Sequence, residues 1–352
     1  YFSAGTGDAT GLVEFIGRPN RVTINVDLAF TDHAPVEESP FEGFNLVANP
    51  YTAAISYSNF MTENAAADIN GTVYLWDDNN SGNSRGDNAD YLVVNAMGNT
   101  DSRNNGEAKW DEHIRSGQGF FVKANSATSI AFNNNMLVTG NNSDGGFFRT
   151  ENHQSKEVKA IKLLLNDGQN SKATIVGFAN DALDGVDKQY DALSLSGGDY
   201  GFYSLFEGNA YAIQGLPSSY DKEIPLGFAV PVSGQFAIRL SFKESDESLD
   251  MVFLIDQLTG EIVNLREGSY SFTSNAGRFE DRFVIQTIPG NVTDVKDELN
   301  HQVYSYVDKG LLGVVFRNGS FKNATIHLHD LNGREVLREK TTISSERWSK
   351  EV

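Results

Sequence analysis

The chain of 352 residues has no cysteine and few prolines, and both shortages limit what it can be. Without cysteine there are no disulfide bonds, no thiolate metal ligands and no cysteine nucleophiles. The 8 prolines, together with 39% hydrophobic and 11% aromatic residues, argue against a disordered chain. We therefore expect a globular protein with packed cores, and the length suggests two or three domains.

Positive charge is also scarce, since 28 Lys and Arg stand against 47 Asp and Glu, for a net charge of −19. This balance excludes a nucleic-acid partner, because phosphate binding needs clustered basic side chains. No run approaches the roughly 20 apolar residues of a membrane-spanning helix, so we expect no membrane span. From Lys296 onward, 9 basic and 8 acidic residues nearly balance, which indicates that the tail is a separate module.

Apolar and polar residues alternate with a period of two along much of the chain, as in half-buried strands. Turn signals such as Asn166–Gly168 and Asp184–Gly185 separate these runs, and only one short helix is predicted, around residues 57–66. The sequence predicts an all-β chain of tandem β-sandwich domains, jelly-roll or Ig-like, with a small Ig-like C-terminal module. The clearest alternating faces are Val22, Ile24, Val26 and Leu28; Phe236, Ile238, Leu240 and Phe242; and Ile326 and Leu328.

Composition divides the chain into segments. Residues 1–150 are rich in Asn and Gly and form the first expected sandwich, although residues 1–35 are equally suited to the end of an upstream domain. Residues 155–287 carry two strand clusters and form the second sandwich. Residues 288–302 are expected to be a linker, and residues 303–352 a small β-module.

Several motifs resemble those of a known group of proteins. The series GFNLVANPYTAAIS (43–56), GTVYLWDD (71–78) and IRSGQGFFVKA (114–124) is similar to motifs that precede the sorting signal in large surface and secreted proteins of Bacteroidetes. The stretches ATIVGFANDALDGVDKQYDALSL (173–195), IPLGFAVPVSGQFAIRLSF (224–242), VFLIDQLTGEIVNLREGSYSFTSNAG (252–277) and DRFVIQ (281–286) resemble the companion β-domain, with its D-x-x-T-G, L and Y-x-F course.

The tail resembles the first half of a type A C-terminal sorting domain of the type IX secretion system. The resemblance rests on VYSYVDKGLLGVVF and ATIHLHDLNGREVLREK, and its sorting motif comprises Asp330, Leu331, Asn332, Gly333, Arg334, Glu335 and Val336. The last strand and terminal lysines of such domains do not follow before Val352, so the domain is partial. The resemblance implies recognition by the type IX secretion machinery and an extracellular or outer-membrane surface location. The resemblance does not by itself imply a catalytic activity, because such modules accompany enzymes and adhesins alike.

The polar stretch after Trp76 has three interpretations. Asp77, Asn79, Ser81 and Gly82 match the opening of an oxygen-lined calcium loop, but Asn88 stands where the bidentate Glu belongs. A looser calcium site is still compatible with the sequence, and calcium is the only cofactor that we expect. The same residue types also turn chains, and a strand-to-strand connection is favoured over calcium. The candidate calcium ligands are Asp77, Asp78, Asn79, Ser81, Asp87 and Asp90.

The third interpretation is a ligand-contacting loop in which Trp76 and Trp110 stack on a sugar. Alternation places Val73 and Leu75 on one face of their strand and Tyr74 and Trp76 on the other, without showing which face is buried. Core packing of Trp76 is favoured. An exposed coplanar pair of aromatic rings would support the sugar interpretation.

Two clusters of titratable residues are further candidates for chemistry. Asp181, Asp184, Asp187 and Asp191 could supply paired carboxylates for glycoside hydrolysis, but nothing in the sequence sets the required spacing, and a structural loop, with or without bound calcium, is preferred. His327 and His329 share a strand face, which suits two metal ligands, but a third ligand is lacking nearby. No nucleophile with a poised base is recognisable.

We therefore expect a chain that is not an enzyme: a spacer or adhesin-like module of a surface or secreted protein, exported by the type IX system. The alternative is a carbohydrate-binding accessory region of a secreted polysaccharide-degrading enzyme. The expected partners are the secretion machinery and either a surface glycan or neighbouring domains of the same chain.

Overall fold

The computed structural model describes residues 17–31, 42–76, 91–102, 110, 112–138, 159–195, 200–220, 222–241, 251–288, 303–308, 311–316, 324–329, 334–341 and 347–351. They belong to two compact units, one up to Gly290 and one from Asn291. Most of the described residues lie in strands, so the all-β class is confirmed. The division between the units falls within residues 288–302, where a linker is predicted. No helix among the described residues is long and apolar enough to span a membrane.

The first unit begins with a five-stranded antiparallel sheet in the order β2-β8-β4-β5-β6, accompanied by two short ribbons, β1 with β9 and β3 with β7. Helix α1 (Tyr57–Glu63) is capped by Ser56, whose hydroxyl accepts a hydrogen bond from the Asn59 N–H. The strands are β1 (Ile24–Leu28), β2 (Phe44–Ala48), β3 (Ile55–Ser56), β4 (Ile69–Trp76), β5 (Tyr91–Asn95), β6 (Gly98–Asn99), β7 (His113–Ile114), β8 (Gly119–Ala124) and β9 (Thr128–Phe132), and a 3₁₀ helix follows at Asn134–Met136.

One face of this sheet packs under the two ribbons and helix α1. Val73 and Leu75 of β4 point to that side, and Phe60 of α1 is fully buried among them. As the alternation predicts, Leu28 is buried, whereas Val22 precedes the strand and is 69% exposed. The core of this region therefore lies on the side of the sheet opposite Trp76.

The second region forms one large sheet in the order β18-β17-β20-β15-β13-β14-β11-β10-β16-β19, with β12 paired to β14. Among these pairings only β11 with β14 is parallel. The strands are β10 (Lys159–Asn166), β11 (Ser171–Ala179), β12 (Ala192–Leu193), β13 (Gly201–Phe206), β14 (Asn209–Pro217), β15 (Ile224–Val230), β16 (Gly234–Leu240), β17 (Met251–Asp256), β18 (Glu261–Asn264), β19 (Tyr270–Ser274) and β20 (Gly277–Ile288).

This large sheet curls back on itself. Its two edge strands, β18 and β19, are consecutive in the chain and joined only by residues 265–269, which cannot span more than about 20 Å. The two edges of the sheet therefore lie close to each other. A single aromatic-rich core fills the inner side, and it includes Phe236, Ile238 and Leu240 of β16, as the alternation predicts. The predicted turn at Asn166–Gly168 is confirmed as the connection between β10 and β11.

The segments 1–150 and 155–287, which we expected to be separate sandwiches, share a core. Tyr74, Val93 and Met97 of the five-stranded sheet pack with buried residues of the large sheet, and all of them belong to the first compact unit. Hydrogen bonds also join the two regions, for example from the Asn95 side chain to the Tyr190 carbonyl at 2.7 Å. The two sheets are therefore stabilised together. The large-sheet members of this shared core include Ile175, Ala179, Tyr190, Ala192 and Ile213.

The second unit contains a three-stranded sheet, β21-β22-β25, and a two-stranded ribbon, β23-β24. All of these pairs are antiparallel. Val314 of β22 is buried. The strands are β21 (Val303–Asp308), β22 (Leu311–Phe316), β23 (Ala324–His329), β24 (Glu335–Thr341) and β25 (Arg347–Glu351).

Candidate functional site

The face of the five-stranded sheet opposite its own core carries a row of large side chains. The strand register pairs Trp76 with Tyr91, Tyr74 with Phe121, and Phe121 with Leu46. Paired residues on neighbouring strands project to the same side of a sheet. We call the group formed by Phe44, Leu46, Trp76, Tyr91 and Phe121 the aromatic face.

The rings of the aromatic face touch in sequence across the sheet. Trp76 and Tyr91 meet edge to face with centroids 5.2 Å apart and planes at 83°, and Tyr91 meets Phe121 at 6.0 Å. Phe121 then meets Phe44 at 6.4 Å, and the Lys123 ammonium lies 5.6 Å from the Phe44 ring centroid. Each of the three ring pairs has the edge-to-face geometry that aromatic quadrupoles favour, so the rings of the row support one another.

The aromatic face is open at one end. Tyr74 and Val93, on the same side of the sheet, are buried beneath the large sheet, while Trp76 is 40% exposed and Leu46 is 52% exposed. Core packing of Trp76, which the sequence favoured, is therefore not what the structure shows. Phe44, Tyr91 and Phe121 pack partly buried against the same core, so the exposed members of the aromatic face are Trp76 and Leu46.

Trp110 lies elsewhere. Its half-buried indole packs against the core on the other side of the five-stranded sheet and meets Tyr57 edge to face at 6.4 Å. Its backbone N–H donates to Asp101 Oδ2 at 2.8 Å. The structure therefore does not bring Trp76 and Trp110 together, and the ring paired with Trp76 is Tyr91, at nearly a right angle.

The candidate calcium ligands Asp77, Asp78, Asn79, Ser81, Asp87 and Asp90 all lie outside the described residues. Within the described part of the chain, no three acidic or histidine side chains are grouped as metal ligands would be. The calcium hypothesis thus stays a prediction.

The acidic cluster between β11 and β12 lies within the described residues, and its four carboxylates are in two kinds of environment. Asp184 is exposed and pairs with Lys222 at 3.1 Å, and Asp181 accepts a hydrogen bond from the Tyr190 hydroxyl at 2.9 Å. Asp187 and Asp191, in contrast, are only 6% and 5% exposed. We call residues 181–191 the acidic clamp.

Both buried carboxylates accept hydrogen bonds from backbone N–H groups. Asp187 accepts from Leu183 and Gln189 at 3.1 and 2.8 Å. Asp191 accepts from Asp187 and from Gly215 of β14 at 2.8 and 2.7 Å. Both oxygens of each group therefore have a structural partner, which agrees with the structural loop that the sequence favoured over paired catalytic acids.

Burial raises the pKa of the Asp191 carboxyl to about 6, the neighbouring Asp187 charge adds to the rise, and the two N–H bonds only partly offset it. In turn, burial chiefly and the Asp191 charge secondly raise the pKa of Tyr211 on β14 to about 12. Asp191 is therefore a carboxyl that changes its charge within the range of ordinary environmental pH.

A buried group of polar side chains connects three strands of the curled sheet, namely β17, β19 and β20. Asp256, at the end of β17, is fully buried and pairs with Arg282 of β20 at 2.8 Å. The Tyr270 hydroxyl donates to the same carboxylate oxygen at 2.8 Å, and Leu258 N–H donates to the other. Burial alone would raise the pKa of Asp256, but these hydrogen bonds outweigh it and hold the pKa below its usual value. The D-x-x-T-G and Y-x-F motifs therefore meet here as a structural bridge, and Arg282 is a partner that sequence reasoning did not single out.

The Asn residues of GFNLVANPY also have structural roles. Asn49 is 2% exposed, and its side-chain amide donates to the carbonyls of Ala53, Ile114 and Arg115 while its oxygen accepts from Tyr51 N–H. These bonds join the end of β2 to the segment around β7, so the Asn49 side chain supplies hydrogen-bond partners to backbone groups of two connections between strands.

In the second unit, only Arg334, Glu335 and Val336 of the sorting motif are described, and Asp330, Leu331, Asn332 and Gly333 lie outside the described residues. Val336 is 51% exposed. His327 Nδ1 lies 2.7 Å from Glu335 Oε2, across the ribbon of β23 and β24. His327 therefore pairs with a carboxylate, and the structure does not describe the side chain of His329.

Comparison with known proteins identifies one family. The model of a domain of unknown function, DUF8693, matches residues 3–286, which includes both sheets of the first unit. No curated protein and no solved structure matches the chain. Because this match covers most of the sequence, the chain belongs to the DUF8693 family.

Proposed function

We propose that this chain is a non-catalytic spacer and adhesin-like module of a cell-surface or secreted protein of Bacteroidetes. In this proposal the curled large sheet is a β-sandwich, and residues 303–352 belong to an Ig-like type A sorting domain recognised by the type IX secretion machinery. The protein would then be located outside the cell or on the outer-membrane surface. The observation that carries the adhesive role is the open end of the aromatic face.

An exposed indole on a firmly packed sheet is suited to binding, and Trp76 lies on the same face as Leu46 and partly buried rings. Contiguous apolar surface is uncommon on soluble monomers and often marks an interaction site. Trp76 is held edge-on by Tyr91, and the β4–β5 pairing fixes both backbones. The Trp76 side chain then loses little conformational entropy when a partner binds, which favours affinity.

The arrangement of the buried carboxylates supports a non-catalytic role. Asp187 and Asp191 bind backbone N–H groups, and Asp256 binds Arg282 and Tyr270. Each of these acids holds connections or strands in place.

Export is proposed from the resemblance of the tail and tested by truncation. We expect the protein truncated after Gln302 to accumulate in the periplasm, whereas the untruncated protein reaches the cell surface. Normal surface display of the truncated protein would overturn this part of the proposal.

Calcium is proposed only as a stabiliser of residues 77–90. A tight site raises the melting temperature when calcium is in excess over its dissociation constant. Equal melting temperatures in calcium and in a chelator would refute a tight site.

Carbohydrate binding is the second candidate, and the 40% exposure of Trp76 favours it. The ring has an edge-to-face neighbour rather than a coplanar one, so a single sugar ring on the indole fits better than a long flat platform. Neighbouring domains of the same chain are the competing partners for this surface.

The experiment compares retention of the wild type, Trp76→Ala and Leu258→Ala on a glycan array, on intact bacterial cells and on the immobilised neighbouring domains. Leu258 is a suitable control because it is 74% exposed and lies outside the aromatic face. We expect Trp76→Ala to lose at least about thirtyfold in affinity, since truncating a hot-spot aromatic costs about 2 kcal/mol or more. Unchanged binding of Trp76→Ala on every surface would remove the aromatic face from the proposal.

A further inference from the structure

The acidic clamp joins the two sheets of the first unit. The Lys188 carbonyl accepts a hydrogen bond from Gly71 N–H of β4 at 2.9 Å, and the Tyr190 carbonyl accepts one from the Asn95 side chain of β5 at 2.7 Å. On its other side, the clamp is bonded to Gly215 of β14 through Asp191. Residues 181–191 therefore form hydrogen bonds to the five-stranded sheet through their backbone carbonyls and to the large sheet through the Asp191 side chain.

The fit between the clamp and both sheets is close. A Cβ on Gly71 would collide with the Gln189 carbonyl, and a Cβ on Gly215 would collide with the Tyr190 side chain. Such contacts leave little room for the clamp to change shape while the sheets stay together.

The two buried carboxylates set the shape of the clamp. Asp187 N–H donates to Asp191, and the Asp187 carbonyl accepts from Asp191 N–H at 2.7 Å, so the ends of this turn are bonded to each other. Asp187 in turn organises Leu183 and Gln189. The carbonyls that reach the five-stranded sheet are thus positioned by Asp187 and Asp191.

We propose that the acidic clamp is a pH-responsive joint that holds the two sheets together more firmly in mildly acidic surroundings than above neutral pH.

The chemistry follows from the groups around Asp191. Among the described residues, its ionisable neighbours are Asp187 within the clamp and Tyr211 on β14, and neither supplies positive charge. When Asp191 is ionised, two carboxylate charges are buried near each other without a cation. Protonation of Asp191 removes that cost while its oxygens still accept hydrogen bonds.

The sign follows from linkage. The native pKa of Asp191, about 6, is raised above the roughly 3.9 of an unfolded Asp, so its stabilisation is fully present below about pH 4 and is lost as the pH rises through 6. With these two values, the equilibrium constant for opening the clamp rises about tenfold between pH 5 and pH 7.5.

The test is hydrogen exchange measured by mass spectrometry on the intact chain at pH 5 and at pH 7.5, corrected for the intrinsic exchange rate at each pH. We expect peptides that cover residues 69–75, 183–193 and 211–217 to open about tenfold more at the higher pH. Peptides from β16 and β19 serve as the internal reference. In Asp191→Asn the excess pH dependence should vanish, while in Asp184→Asn, in the same loop but exposed, it should persist.

A second measurement is independent of whether Asp191→Asn folds. Carboxyl carbon chemical shifts of the wild type, followed by NMR, report the titration of Asp191 directly, and we expect a midpoint near 6. The proposal is overturned if the clamp peptides show the same pH ratio as β16 and β19, or if Asp191 titrates near the value of an unfolded Asp.

Discussion

Removal of Arg282 provides the sharpest test of how the curled sheet is held closed. The guanidinium pairs with Asp256, which has no exposed surface, and it lies 4.7 and 4.9 Å from the ring centroids of Phe272 and Phe283. In Arg282→Met the aliphatic volume is largely kept, but the Asp256 charge stays buried with the Tyr270 hydroxyl and the Leu258 N–H as its remaining hydrogen-bond donors. Breaking a buried pair in this way costs about 3–5 kcal/mol in the free energy of unfolding.

The matched control is Arg278→Met on the same strand, β20. Arg278 also pairs with a carboxylate, Glu280, at 2.6 Å and also lies over a ring, that of Tyr203 at 4.8 Å. It differs in burial, because the side chains of Arg278 and Glu280 are 51% and 45% exposed. Exposed pairs contribute at most about 1 kcal/mol, so this control should lose far less stability than Arg282→Met.

The assay is urea unfolding of the wild type, the Arg278→Met control, the two single variants Arg282→Met and Asp256→Asn, and the double variant that combines these two. Because the double variant leaves no uncompensated charge, we expect it to be less destabilised than the sum of the single variants by about 2 kcal/mol. If Arg282→Met costs no more than Arg278→Met, the buried bridge does not close the sheet and the explanation is wrong.

Three further predictions concern the same unit. Because the pKa of Asp256 is lowered in the folded protein, the stability that this carboxylate contributes is present above the unfolded pKa of about 3.9 and is lost as the pH falls below that value. We therefore expect the difference in unfolding free energy between the wild type and Arg282→Met to become smaller on acidification. A difference that stays constant down to about pH 2 would contradict this. Gly71→Ala should destabilise by about 2 kcal/mol or more in thermal or urea unfolding, because its Cβ meets a backbone carbonyl, whereas Gly234→Ala has open space and should stay within about 1 kcal/mol. Asn49→Ala should cost about 2–4 kcal/mol by the same measurement, because it leaves several buried backbone groups without partners, and a cost below about 1 kcal/mol would mean that water replaces the amide.

Local patterns were predictable from the sequence. The alternation of β1 and β16, the short helix α1 and the turn between β10 and β11 depend on neighbours a few residues apart, and the structure confirms them. The shared core could not be predicted in the same way. Gly71 and Lys188, or Asn95 and Tyr190, are about a hundred residues apart, and a single glycine or asparagine carries no periodic signal of its distant partner.

The aromatic face shows a different limit. Alternation correctly placed Tyr74 and Trp76 on one side of β4, but it treats a strand face as either buried or exposed along its whole length. Here the large sheet covers Tyr74 and stops short of Trp76, so two residues on the same face have opposite environments. The position where a covering element ends is a property of tertiary packing, and it decides which residue is available to a partner.

The abundance of Asn and Asp also has a meaning that composition alone did not reveal. In sequence these residues suggested turns and calcium, yet the buried ones in the described part of the chain, such as Asn49, Asn95, Asp187 and Asp191, are bonded to backbone groups in the connections between strands. Irregular connections that run through a packed interior have N–H and C=O groups with no ladder partner, and each must be satisfied. Short amide and carboxylate side chains can satisfy them at close range, and carboxylates do so at an electrostatic cost that amides avoid. That cost is what makes Asp191, unlike Asn95, sensitive to pH.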